Sequence, residues 1–263
     1  MLTLVRRSVG RAASAWGAIA LLLVTFQFAL IRAAESMASQ GSYERLVQAV
    51  PEFVRSFLGA SLGSFAGIVT VGYFEPIPVL MLVLFTVYVA TEPAGDVETC
   101  LVDLLLSRPL GRHALVTRTL AALLLLPAAI VAAMTTALVV GLWWMASHRS
   151  WPHAGHVALL CTYLLAVSWC FGSIGLAVAG RARRRAAAVL PLVVLVVGLY
   201  LLETLGAAWN VARMLSLVSP FHYFPGADIL DGKADVVRDL SILGAVTVAA
   251  VLTAYWQFNR RDL

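Results

Sequence analysis

Three groups of residues in this chain are of types that do chemistry. His148, His153 and His156 fall within nine residues, a density that would let imidazole nitrogens gather a transition metal. No cysteine or carboxylate accompanies them in that stretch, and the spacing is not a metal-ligand motif, so no metal site is expected. The single lysine, Lys233, follows Gly232 in "ADILDGKAD" and invites comparison with a phosphate-binding loop. That loop needs a glycine where Ala227 stands and a Ser or Thr where Ala234 stands. The chain is therefore not expected to hydrolyse ATP itself. Glu75 and Glu203 are embedded in apolar runs, where a carboxylate is expensive to hold and often marks ion or proton coupling. Both lie near run ends, within reach of water, and are expected to play interfacial or bundle-facing structural roles. No catalytic, cofactor-binding or metal-ligating residue is expected.

The elements that carry these residues follow from composition. Of 263 residues, 61% are hydrophobic and 13% are charged, against about 25% charged in a soluble domain. With a mean hydropathy of +0.89, the chain is expected to live in a bilayer. The pI of about 9.4 then reads as arginines marking the cytoplasmic face, not as a nucleic-acid surface. Cys161 and Cys170 lie nine residues apart in one apolar run. That separation is about 13 Å along a helix, too far for a disulfide, and with Cys100 they are read as small buried hydrophobes.

Six runs approach or exceed the length needed to cross a bilayer as helices. They cover approximately Ala15 to Ile31, Gly72 to Thr91, Leu115 to Met145, His156 to Ala179, Ala186 to Leu205 and Leu240 to Phe258. The fold class expected is an all-α membrane protein forming a single transmembrane domain over residues 1–263. The first run is too long for a signal peptide and lacks a cleavage site. An even number of spans puts both termini on one side, together with Arg6, Arg7, Arg11, Arg108, Arg112, Arg118, the "RARRR" run from Arg181 to Arg185, Arg260 and Arg261. The positive-inside rule assigns that side to the cytoplasm; binding of anionic lipid by "RARRR" is the functional alternative. Between spans 1 and 2, Leu46, Val47, Val50, Phe53, Val54, Phe57 and Leu58 recur at helical spacing opposite Glu44, Arg45, Gln48, Glu52 and Arg55. This pattern predicts an amphipathic outer helix, bent near Pro51. Gly59, Gly63 and Gly67 follow at a spacing that permits close helix contact. The N-terminal "MLTLVRRSVGR" is read as a possible short interfacial helix, and Trp143 and Trp144 as part of an interfacial aromatic belt.

Between spans 2 and 3 lies "VETCLVDLLLSRPLGR", Val97 to Arg112. Read as a helix from Asp96 to Ser107, it places Val97, Leu101, Leu104 and Leu105 on one face and Asp96, Thr99, Asp103 and Ser107 on the other. Pro109 and Gly111 end it. A short cytoplasmic helix of this kind suits a groove on a partner protein, although an ordinary solvated loop helix shows the same periodicity.

The stretch resembles the cytoplasmic signature of type-2 ABC transporter permeases, which carry an acid, Gly-Thr, an acidic leucine-rich helix and a Pro-x-Ser-Arg ending. Glu98 matches the acid, Asp103 to Ser107 the helix, and Pro109 and Arg112 the ending. Arg118 matches a basic residue at the start of the next span. Cys100 stands at the usual glycine and Gly111 at the usual serine. "SPFHYFPGADIL", Ser219 to Leu230, resembles the family's motif between spans 5 and 6, and the terminal "FNRRDL" its Phe-x-Arg-Arg-Asp ending. The resemblance implies a non-catalytic permease subunit in the prokaryotic plasma membrane, exporting by family habit. It would be a homodimer or paired with a similar permease, and bound to two cytoplasmic ABC ATPase subunits that hold ATP and Mg. Residues 96–107 would be the coupling helix, with Leu101, Leu104 and Leu105 buried in the ATPase. Glu98, Asp103 and Arg112 would supply the polar side of docking or brace the helix. Two alternatives stay open: a non-transporting scaffold or mechanotransmission subunit that couples a cytoplasmic ATPase to an outer partner, and a membrane enzyme using the outer histidines.

Overall fold

The computed structural model describes residues 2–40, 64–99, 113–146, 151–182, 184–206 and 209–260. Every regular element among them is helical. Helix α1 runs Leu2–Gln40, and span 2 comprises α2 (Phe65–Val71), α3 (Pro76–Ala90) and α4 (Glu92–Glu98). Helices α5 (His113–Met145), α6 (Ala154–Ala179) and α7 (Arg185–Gly206) follow. The short α8 (Asn210–Ser216), a 3-10 turn (Pro220–Tyr223) and α9 (Gly226–Leu230) lead into α10 (Val236–Arg260). Six helical segments are long and apolar enough to cross a membrane, which fits a multi-pass membrane protein.

The bundle centres on span 2 and α6. Of their most apolar stretches, 61% and 56% are buried, against 17% for α7 and α10, which lie at the periphery. Helix α1 packs on α5, and α6 packs on α3 and α10. The interior is filled by side chains such as Leu23, Leu82, Ile130, Met134, Leu160, Leu164 and Phe171. The outside is apolar as well: Leu21, Leu125, Val194 and Leu252 are each more than half exposed. A soluble helix would place polar residues there; these faces suit hydrocarbon. Pro127 in α5 and Pro191 in α7 leave both helices unbroken, as membrane helices allow when the freed backbone groups find other partners.

Contacts along the chain separate two ends of the bundle. The start of α5 meets the end of α10 through Thr117 and Tyr255, 2.8 Å apart. Helix α4 and the start of α7 lie at the same end. At the opposite end, Ile31 of α1 approaches Gly141 of α5, and Glu203 of α7 meets His222.

Span 2 differs most from expectation. The apolar run places its start at Gly72, yet helix already starts at Phe65, where the Ser64 side chain accepts a bond from the Gly67 amide. Gly72, Pro76 and Pro78 mark an interruption inside the span. Gln27 of α1, fully buried, donates to the Val69 carbonyl at 3.0 Å. A Cβ at Gly72 would collide with that Gln27 side chain. Helix α1 is also continuous from Leu2 into the first span. At 1.5 Å per residue its 39 residues extend about 58 Å. The predicted amphipathic outer helix, with Gly59 and Gly63, lies outside the described residues; Gly67 is buried in α2. Close approaches of α6 to α3 and α5 use Gly172 and Gly175. A Cβ on Gly172 would sit 2.7 Å from Thr86 Cγ2 and 3.1 Å from Leu123 Cδ2, and one on Gly175 would sit 3.0 Å from the Ala90 Cβ.

Gly172→Val is accordingly expected to cost about 1–3 kcal/mol and to lower the thermal midpoint in detergent. Gly244→Ala, which meets nothing within 4 Å in mid-helix, should be neutral or stabilising by up to about 1 kcal/mol. Equal losses in the two variants would remove the packing explanation.

Candidate functional site

Helix α4 leads directly into the Val97 to Arg112 stretch, and the structure ties it to two other helices by charge. Thr91 separates it from α3, Pro93 occupies its first turn, and Thr99 closes it. Arg118, one turn into the apolar part of α5, is 1% exposed. Its Nη2 donates to Asp96 Oδ2 at 2.5 Å and lies 3.7 Å from Glu92 Oε1. Asp96 and Glu92 are themselves buried, at 1% and 7% exposure. A guanidinium taken out of water needs paired and hydrogen-bonded acceptors, because its desolvation costs several kcal/mol. Two carboxylates one helical turn apart supply them. Arg118 Nε is buried and has no hydrogen-bond partner among the described residues.

The second tie comes from α7. Its first residue, Arg185, gives its backbone N–H to Glu98 Oε2 at 2.9 Å, and its Nη2 donates to the Tyr88 carbonyl at 2.8 Å. Its Nε reaches Thr91 Oγ1 at 3.4 Å, and the guanidinium carbon lies 3.9 Å above the centre of the Tyr88 ring, a cation–π geometry. Gly95 makes room for this side chain, since a Cβ there would stand 3.2 Å from Arg185 Cδ. Beneath the polar contacts, Ala94, Ala179 and Ala188 are fully buried together. Three small side chains let α4, α6 and α7 approach closely.

Of the residues singled out for docking, Glu98 is described, and its partner is the α7 backbone. Leu101, Asp103, Leu104, Leu105 and Arg112 lie outside the described residues, as does the remainder of the helix expected from Asp96 to Ser107. The described helix begins at Glu92, four residues before that expected start. Asp96, assigned to a polar face, is buried against Arg118. Arg118 and Arg185, read as topology markers, are the residues that hold α4 in place. The separation of Asp96 from Arg118 and of Tyr88 from Arg185 hides both pairings from any local pattern; the clue was an arginine set inside an apolar run.

The other residues of interest sit at the opposite end. His153 Nδ1 accepts the Gly155 N–H at 3.2 Å and so caps α6. The rings of His153 and His156 are 5.3 Å apart, and His148 lies outside the described residues. Among the described residues no group of three His, Cys, Asp or Glu side chains is placed to hold a metal. Cys161 and Cys170 are free thiols. Glu75 stands at the interruption of span 2, immediately before α3, and Glu203 Oε1 lies 3.3 Å from His222 Nδ1. Trp143 and Trp144 are 73% and 77% exposed, as an interfacial belt requires. The Ser219 to Leu230 stretch is an aromatic plug. Ser219 accepts the Phe221 N–H at 3.2 Å. Phe221 packs 4.8 Å from Phe171 and 5.3 Å from Tyr200, and Phe224 stacks on Tyr163 at 6.0 Å. Gly226 lies where any Cβ would strike the Phe74 ring.

No protein-family model matches the chain, and no curated protein matches it.

Removing Arg118 strands two buried carboxylates, so Arg118→Leu is expected to cost about 3–5 kcal/mol. Glu98→Gln, at an exposed bond to a backbone N–H, should cost about 0.5–1.5 kcal/mol. Thermal unfolding in detergent checks both. Combining Arg118→Leu with Asp96→Leu should cost less than the two single losses added together. Strict additivity would show that the pair is not coupled.

Proposed function

We propose that this chain is the membrane-spanning subunit of an ATP-driven transporter of the type-2 ABC permease kind, working as an exporter. Two separate cytoplasmic ATPase subunits bind ATP and Mg. The permease acts as a homodimer or pairs with a similar subunit. The arginine-rich end of the bundle is its cytoplasmic face by the positive-inside rule, in a prokaryotic plasma membrane with both termini inside.

The observation that carries this reading is the coincidence of the Glu98 to Arg112 signature with an anchored helix. Two-faced helices are common, but one that receives force from a partner has to be joined to the spans it moves. Helix α4 ends where the signature begins, and it is held to α5 by Arg118 with Asp96 and to α7 by Arg185 with Glu98. Leu101, Leu104 and Leu105 would insert into a cleft of the ATPase, flanked by Glu98, Asp103 and Arg112. Closure of the ATPase pair on ATP would push this helix. The clamp would pass the displacement to α5 and α7 together, changing access to a pathway between permeases. The six apolar spans supply the barrier across which that access alternates.

Gentle-detergent purification of the tagged chain from its native membranes should co-elute a stoichiometric P-loop ATPase. Leu104→Asp should insert into the membrane normally and lose that ATPase. Recovery of the ATPase undiminished with Leu104→Asp would show that the docking face is elsewhere; recovery of the chain alone from intact membranes would overturn the reading.

A further inference from the structure

At the end of the bundle opposite α4, the plug and the start of α10 border an open cleft of about 620 Å³, within the usual range for a small-molecule site. Its lining sets Glu203, Asp228, Asp235 and Asp239 against Arg213, Lys233 and Arg238, and these charges are unevenly satisfied. Arg238 faces Asp239 at 3.6 Å, and Lys233 is bound to Asp231 at 3.0 Å. Glu203 uses one oxygen on His222, while its other, Oε2, is buried without a hydrogen-bond partner. Arg213 also lines the cleft and has no ion-pair partner among the described residues. The aromatic rings of Phe74, Phe221 and Phe224 complete the wall. The site thus offers a carboxylate oxygen short of a donor and, beside aromatic walls, a guanidinium suited to phosphate.

Helix α8 forms part of the wall and shows what kind of molecule carries such a pair of charges. Arg213 and Ser216 face the cleft, whereas Met214, Leu215, Leu217 and Val218 are 51–81% exposed. An element polar on its cleft side and apolar outside belongs at the boundary between headgroups and acyl chains. We propose that this cleft binds the headgroup of a phospholipid with a primary ammonium, of the phosphatidylethanolamine type. Glu203 accepts a hydrogen bond from the ammonium, Arg213 pairs with the phosphate, and the acyl chains lie along Met214 and Val218. A quaternary ammonium has no N–H for Glu203 Oε2, so choline headgroups bind less well. Placement of the site in the outer leaflet rests on the topology proposed above. The binding test contains no ATPase, so its outcome is independent of the transport reading.

The purified, delipidated full chain in detergent would be titrated calorimetrically with dihexanoyl-phosphatidylethanolamine, dihexanoyl-phosphatidylcholine, dihexanoyl-phosphatidylglycerol and O-phosphoethanolamine. The ethanolamine lipid should bind about tenfold more tightly than the other two lipids, the worth of one charge-assisted hydrogen bond. Glu203→Gln should erase that preference. Arg213→Ala, at an exposed side chain that the fold does not need, should weaken the ethanolamine and glycerol lipids alike. O-phosphoethanolamine should compete only weakly for want of acyl contacts. Equal binding of the three lipids, or unchanged affinities in Arg213→Ala, would overturn the proposal. Competition by O-phosphoethanolamine as strong as that by the lipid would assign the site to a soluble phosphoamine instead.

Discussion

A guanidinium buried in an apolar bundle has few stable solutions, and the geometry around Arg118 follows from that constraint. Its charge cannot be shed, so acceptors must be brought to it. Glu92 and Asp96 are four residues apart, which on a helix places them one above the other. For both to reach one arginine, the segment that bears them has to be helical and has to lie against α5. The ion pairs therefore fix the conformation of α4 and its position together. Ala94, on the same short helix, then meets Ala179 and Ala188. Arg185 closes the arrangement from α7 by covering Tyr88 and Gly95. A hydrophobic substitute for Arg118 would pack, but it would carry no instruction about where α4 should sit.

Much of the architecture can be read from periodicity and composition, because a bilayer asks for length and apolarity before anything else. The helices of α5, α6, α7 and α10 start and end within a few residues of the expected runs. What composition cannot reveal is how an apolar run is subdivided. Gly72, Pro76 and Pro78 are boundary signals in water, whereas here they sit within a span whose neighbours satisfy the backbone: Gln27 reaches across from α1 to the Val69 carbonyl. Spacing alone also does not single out Gly172 and Gly175, whose three-residue separation puts both on the α3 side of α6, where close contact occurs.

The polar residues show a sharper division. Charges were read by their side of the membrane, a rule about translocation that says nothing of what an arginine touches. Arg118 and Arg185 are structural, holding α4 to α5 and α7. Glu98 stood out through resemblance, and its described partner, a backbone N–H 87 residues away, has no sequence signature. The aromatic plug was visible as a motif, but its packing against Phe171, Tyr163 and Tyr200 depends on where α6 and α7 bring those rings.

The single residue between α3 and α4 has a mechanical consequence. Thr91 is the whole of the joint along the chain, while sideways α4 is held by ion pairs, a capped backbone amide and a stacked guanidinium. A load applied at Glu98 would be carried laterally as torque on α5 and α7, and into α3 both along the chain and through Arg185, which binds the Tyr88 carbonyl and covers its ring. Thr91 is buried and bonded into both helices, its N–H to Val87 and its carbonyl to Ala94 and Gly95, so the end of the second span behaves as a braced lever with a fixed bend at that residue.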